Sequence, residues 1–207
     1  MNKLVVVAVT ILAQHRLATA DCVEEAASLR AHLTHEAHRL RVWNTAWAVG
    51  FGVAATGQLT LALTETKPLG TFDRNYEESM YVGAATATIG MASNLVLPVR
   101  VRVPGAIADA CADVTALRGV LATAARDERR TFWLTVLGGT ALNAAGGLLL
   151  WHRRDFTTGA LSFLTAMPIV AIQAWTEPRG SLHAWTERRA TWTVAVAGRS
   201  LWLAREF

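Results

Sequence analysis

Four long hydrophobic segments without charges dominate the chain. Each is about 20 residues long and lacks Asp, Glu, Lys, Arg and His, and an α-helix of that length crosses the hydrocarbon core of a bilayer. They cover residues 42–63, 80–99, 132–151 and 157–175. Five tryptophans lie at or near the segment ends, where tryptophan favours the headgroup region: Trp43, Trp47, Trp133, Trp151 and Trp175. The pattern predicts an all-α integral membrane protein with four transmembrane helices in a bundle.

The first twenty residues have the pattern of a signal peptide. Lys3 supplies positive charge, residues 4–13 form an apolar core too short to span a bilayer, and Ala18-Thr19-Ala20 is an A-x-A cleavage pattern. We predict cleavage after Ala20; the alternative is an uncleaved anchor. The predicted organisation is a leader over 1–20, a four-span membrane domain over 21–175 and an extramembrane tail over 176–207.

The orientation of the spans rests on two conflicting signals. A cleaved leader puts residues 21–41, 100–131 and 176–207 outside, in a multi-pass protein of the cell (inner or cytoplasmic) membrane. The outside regions then hold 14 Lys and Arg residues and the inside loops hold four, the reverse of the positive-inside tendency. Because the first hydrophobic element usually dominates insertion, we predict extracytoplasmic mature termini, with the inverted orientation as the alternative.

Three extramembrane segments carry structural patterns of their own. Residues 22–41 have high helix propensity, and residues 104–130 place apolar side chains at helical spacing, which predicts an amphipathic helix. Residues 191–207 alternate apolar and polar side chains around Gly198-Arg199-Ser200, which predicts a short C-terminal β-hairpin. An interfacial helix is the competing interpretation of this last segment.

The two cysteines fall in regions that share one side of the predicted membrane. In the exported orientation that side is oxidising, so Cys22 and Cys111 are candidates for a disulfide. Two unrelated free thiols are the alternative. The chain has no Cys-x-x-Cys motif, so the sequence does not indicate thiol redox catalysis.

One histidine-rich segment offers candidate metal ligands. His32, His35 and Glu36 follow i, i+3, i+4 spacing and would share one helix face. The spacing is not the HExxH of zinc peptidases, and a further ligand would be required. A polar helix face near lipid headgroups is the more ordinary interpretation, so we predict no metal and no other cofactor.

Five amides are the conspicuous polar groups within the predicted spans: Asn44, Gln58, Asn94, Asn143 and Gln173. We predict that they form hydrogen bonds between helices. The alternative is that they line a substrate path, although the spans lack the ionisable residues that proton-coupled transport generally uses.

Composition and charge narrow the predicted function. Hydrophobic residues make up 52% of the chain and charged residues 17%, and the net charge of +4 is mixed with 16 acidic residues, so no nucleic-acid partner is indicated. Because no catalytic constellation stands out, we predict a non-enzymatic interaction or accessory protein. Its partners would be the lipid bilayer and either a second copy or another membrane protein. The alternatives are a small permease or channel-forming oligomer using Asn94 and Asn143, and a metal-dependent membrane enzyme using His32, His35 and Glu36.

Overall fold

The computed structural model describes residues 2–64, 76–189, 191–197 and 200–206, and within these the side chains of residues 21–64 and 76–188. The helices are α1 (Asn2–Leu63), α2 (Tyr76–Val96), α3 (Ala110–Arg153), α4 (Phe156–Thr176) and α5 (Gly180–Arg189). Strands β1 (Thr191–Ala197) and β2 (Ser200–Glu206) follow and pair antiparallel, with Ala197 opposite Ser200.

Three helices in the described part of the chain are long and apolar enough to cross a membrane. They are Asp21–Leu63 within α1, Ala110–Arg153 and Phe156–Thr176. These helices fit the predicted class of helical membrane protein. Helix α2 is as long as α4 but has two acidic residues, Glu77 and Glu78, in its first turn, so its mean hydropathy is lower.

The chain divides into two compact units. We call the first the disulfide unit; it comprises Met1–His38, Arg100–Asp127 and Arg179–Phe207. We call the second the span unit; it comprises Arg39–Val99 and Glu128–Pro178.

The disulfide unit has a core of branched aliphatic side chains. Leu29, Leu33, Leu117 and Leu121 are at most 1% exposed, and Val114 lies beside them. Large apolar side chains inside a helical unit are typical of a domain that folds in water, because their burial removes apolar surface from solvent.

The span unit has the opposite distribution of side-chain size. Among the described residues, most of its buried apolar side chains are small or medium-sized, namely Ala48, Ala62, Ala84, Ala87, Val99, Val170 and Ala174, and the larger exceptions are Leu40, Trp43 and Leu150. Many of its large apolar residues face outward, among them Leu134, Leu137, Leu148, Leu161, Leu164 and Ile172. This distribution suits a lipid environment, where leucine gains little from burial and helix packing depends on small residues.

Several predicted boundaries differ from the structure. Helix α2 ends at Val96, so the segment 80–99 overshoots, because Pro98 lacks a backbone donor and restricts the residue before it. The amphipathic segment begins as a helix only at Ala110, where Asp109 Oδ1 accepts hydrogen bonds from the N–H groups of Cys111 and Ala112. That helix then continues without a break through the third predicted span. Helix α5 was not predicted. Residues 2–20 form the start of α1 in the uncleaved chain, which does not test whether the leader is removed, so cleavage stays a prediction.

Candidate functional site

A disulfide joins the first and third helices within the disulfide unit. The sulfur atoms of Cys22 and Cys111 are 2.08 Å apart and their Cα atoms 5.1 Å apart, across a sequence separation of 89. The bond closes the unit at one edge of the leucine core, against which Cys22 packs. It therefore holds α1 and α3 together covalently where the core holds them by apolar contact.

An ion pair between half-buried Arg30 and buried Asp113 lies beside this core. The Arg30 Nη2 atom donates to both carboxylate oxygens of Asp113, each at 2.9 Å, and Nη1 donates to the carbonyl oxygen of Pro104. The Ile107 N–H donates to Asp113 Oδ1 at 3.3 Å. Asp113 is 4% exposed, and the hydrogen bond from Arg30 holds its pKa below the ordinary range. The pair therefore fixes α1, α3 and the segment before α3 in one arrangement.

Glu25 connects a third element to the same unit. Its Oε1 accepts from Arg118 Nη2 at 2.7 Å and from Arg188 Nη1 at 3.0 Å. Arg188 belongs to α5, so one carboxylate links α1, α3 and α5. Exposed pairs of this kind add little stability, and we interpret their effect as positional.

The candidate metal ligands do not converge. His35 is exposed, His32 is half-buried and Glu36 is 2% exposed. The Glu36 carboxylate lies directly against Gly180, where a Cβ atom would collide with it. Among the described residues, no group of three or more His, Cys, Asp or Glu side chains is arranged to hold a metal ion.

Two of the five amides of the spans differ from the predicted arrangement. Asn94 donates to the Gly90 carbonyl and Asn143 to the Gly139 carbonyl, each at 2.8 Å, so both bond within their own helices. The prediction of interhelical hydrogen bonds is wrong for these two. Gln58 is half-buried and lies over Gly83 of α2, and Gln173 is half-buried in α4.

Asn44 and two tryptophans make hydrogen bonds between separate elements of the span unit. Asn44 Nδ2 donates to the Val99 carbonyl at 3.0 Å, beyond the end of α2. The indole N–H groups of Trp43 and Trp47 both reach Thr176 Oγ1 at 3.3 Å. Both tryptophans were predicted to lie near a span end. Their common acceptor, Thr176, is 129 or more residues away along the chain, and no sequence pattern identifies it as their partner.

Helices α3 and α4 pack through a close glycine contact. Gly147 lies against the backbone of Gly159, and a Cβ atom at Gly159 would meet the backbone of Gly147 and of Trp151. Two residues, Arg154 and Asp155, separate the helices, and Asp155 caps α4 by accepting from the Thr158 N–H at 2.8 Å. Small residues thus provide the contact, as expected for helices in lipid.

A cavity of about 400 Å³ opens within the span unit, where α2 begins and α3 ends. It is lined by Glu77, Glu78, Tyr81, Val82, Leu149, Leu150, Arg153 and Arg154. Arg154 Nε donates to Glu78 Oε2 at 2.7 Å, and this hydrogen bond lowers the pKa of Glu78 and raises that of Arg154. The cavity was not predicted. In the sequence Arg153 and Arg154 are visible only as two positive charges after the third span, and no pattern indicates that they line a cavity with residues of α2.

Comparison with known protein families, with curated proteins and with solved structures finds no match. Two arrangements in the described residues bear on function. One is the disulfide unit, where the bridge and two ion-pair groups fix three helices. The other is the cavity, which combines paired charges with an apolar wall.

Proposed function

We propose that this chain is a four-span protein of the cell membrane whose role is to bind and position another membrane protein. The apolar bundle anchors the chain, and the disulfide unit, including the C-terminal hairpin, provides the extracytoplasmic contact surface. The observation that carries the proposal is the disulfide unit itself. Its leucine core, its bridge and the Arg30–Asp113 pair together restrict a small surface to one conformation.

A fixed surface is what an interaction partner requires, because ordering loops and side chains on binding opposes association. Val23 and Ile107 are 58% and 45% exposed on this unit, so apolar side chains are available beside its core. We infer that the partner covers these two exposed aliphatic side chains.

The disulfide also supports the exported orientation. Disulfides persist in oxidising compartments, and both cysteines belong to the same unit. The charge distribution favours the opposite orientation. We give the bridge more weight, because it needs an oxidising environment, whereas the charge rule is a tendency.

Site-specific photo-crosslinking in native membranes tests the proposed role. A crosslinking amino acid at position 23 or 107 should give one discrete protein adduct, either with a second copy or with a different membrane protein. The matched control is position 164, where the 61% exposed Leu164 of the span unit should crosslink to lipid. Mass spectrometry identifies the adducts, and Val23→Glu should remove the adduct at position 107. Lipid adducts alone at all three positions, with full-length protein present, would contradict the proposal.

A further inference from the structure

The cavity between α2 and α3 lies where the apolar part of both helices ends. Leu149 and Leu150 form its wall on α3, and Val82 lies on α2. The neighbouring Trp151 is 50% exposed and packs edge-on against Phe156 with ring centroids 5.4 Å apart, an aromatic pair of the kind found at headgroup level. The cavity therefore joins an apolar surface to the polar boundary of the membrane.

The charges around the cavity are balanced and only partly paired. Glu78 lies between Arg154, at 2.7 Å, and Arg153, at 3.9 Å. The Arg153 side chain is 62% exposed, and Glu77 is exposed at the start of α2. The Arg153 guanidinium and the Glu77 carboxylate are thus the more exposed charges of the cavity lining, with opposite signs, and the four groups together carry no net charge.

We propose that this cavity binds the headgroup of a zwitterionic phospholipid that carries a primary ammonium, such as phosphatidylethanolamine. The phosphodiester accepts hydrogen bonds from Arg153, whose planar group suits two phosphate oxygens. The ammonium donates to Glu77, and the upper acyl chain lies along Leu149 and Leu150. The proposal rests on the membrane location but not on the proposed partner-binding role.

Charge complementarity decides between lipid classes. An anionic headgroup such as phosphatidylglycerol would satisfy Arg153 but leave Glu77 beside a second negative charge. A choline headgroup carries the positive charge but has no N–H to donate to a carboxylate. Among the common headgroups of a bilayer, an ethanolamine group satisfies both open charges at once.

Native mass spectrometry of the full-length protein tests this binding. The protein is reconstituted with equal amounts of phosphatidylethanolamine, phosphatidylcholine and phosphatidylglycerol, and the retained lipid is measured after release into mild detergent. The wild type should retain phosphatidylethanolamine, and Arg153→Gln should reduce that retention about tenfold, the loss expected for one charge-assisted contact. Glu77→Gln should shift retention toward phosphatidylglycerol. Arg188→Gln, in the disulfide unit, is the matched control and should change neither.

Circular dichroism and elution volume establish that each variant is folded, and Arg153→Lys keeps the charge if Arg153→Gln does not fold. Equal retention of the three lipids, or retention unchanged in both Arg153→Gln and Glu77→Gln, would overturn the proposal. The crosslink at position 107 separates this inference from the proposed function. Arg153→Gln should leave that adduct intact while the lipid is lost.

Discussion

Removing the disulfide should lower the stability of the disulfide unit by a predictable amount. The perturbation is the double variant Cys22→Ser and Cys111→Ser. For a sequence separation of 89, the chain-entropy relation gives about 4.6 kcal/mol at 25 °C. In micelles the predicted spans stay helical after the disulfide unit unfolds, so the chain between the two cysteines is already restricted without the bond. The calculated loss is therefore an upper limit. We expect a loss of about 2–4 kcal/mol, the range commonly measured for disulfides.

Thermal unfolding in detergent micelles measures this loss. Trp185 packs against the leucine core, so its fluorescence should report the unfolding of the unit. For an unfolding unit of fewer than 100 residues, a loss of 2–4 kcal/mol corresponds to a fall in Tm of about 8–30 °C. Wild type treated with a reductant is the matched control and should unfold with the variant. Equal Tm values for oxidised wild type and variant, with both wild-type cysteines closed to maleimide until reduction, would refute the reasoning.

Three further predictions concern the core, a helix contact and a buried carboxylate. Leu117→Ala removes a side chain that is 0% exposed and should destabilise the protein by about 2–5 kcal/mol, measured by chemical denaturation. Gly159→Val places a branched side chain against the backbone of α3 and should lower Tm or prevent folding, measured by yield and thermal melts. The pKa of Asp113 is lowered in the folded protein, so its contribution to stability is complete above about pH 4 and is lost as the pH falls through the folded pKa. Asp113→Asn should flatten that part of the curve of Tm against pH.

Each of these variants has a control in the same element or the same pair. Leu137→Ala removes a leucine that is 63% exposed on α3 and should change stability little. Gly138→Val is made where no atom lies within 4 Å of the position that a Cβ atom would take, and it should be tolerated. Arg30→Gln removes the partner of Asp113 and should flatten the pH dependence as Asp113→Asn does. Destabilisation by the exposed-leucine variant as large as that of Leu117→Ala would contradict the assigned core.

The apolar segments were predictable because the bilayer imposes a length and forbids charge, and both are visible in one dimension. Residues 42–63 fall within α1, residues 132–151 within α3 and residues 157–175 within α4. The start of α3 was misjudged because apolar spacing continues upstream of Ala110, whereas the cap at Asp109 fixes the first turn. Periodicity finds a helix face, but capping chemistry decides where the helix begins.

The polar contacts were less predictable because they depend on distant residues. The side-chain amides of Asn94 and Asn143 donate to a backbone carbonyl on the preceding helical turn. Every Asn in a helix can make this bond, and the sequence does not show which Asn residues make it. The acceptor that Trp43 and Trp47 share depends on where α4 ends. The pairing of Cys22 with Cys111 was open for the same reason, since it requires the packing of α1 against α3.

The disulfide has a covalent consequence for limited proteolysis. Any single backbone cut between Cys22 and Cys111 leaves both pieces attached through sulfur. Such a nicked chain should migrate as one species on a non-reducing gel and separate into two fragments only after reduction. A cut after Cys111 should release its C-terminal piece under either condition. The fragment pattern therefore shows which peptide bonds a protease reaches from each side of a sealed vesicle. A pair of fragments that separates only after reduction identifies a cut between Cys22 and Cys111.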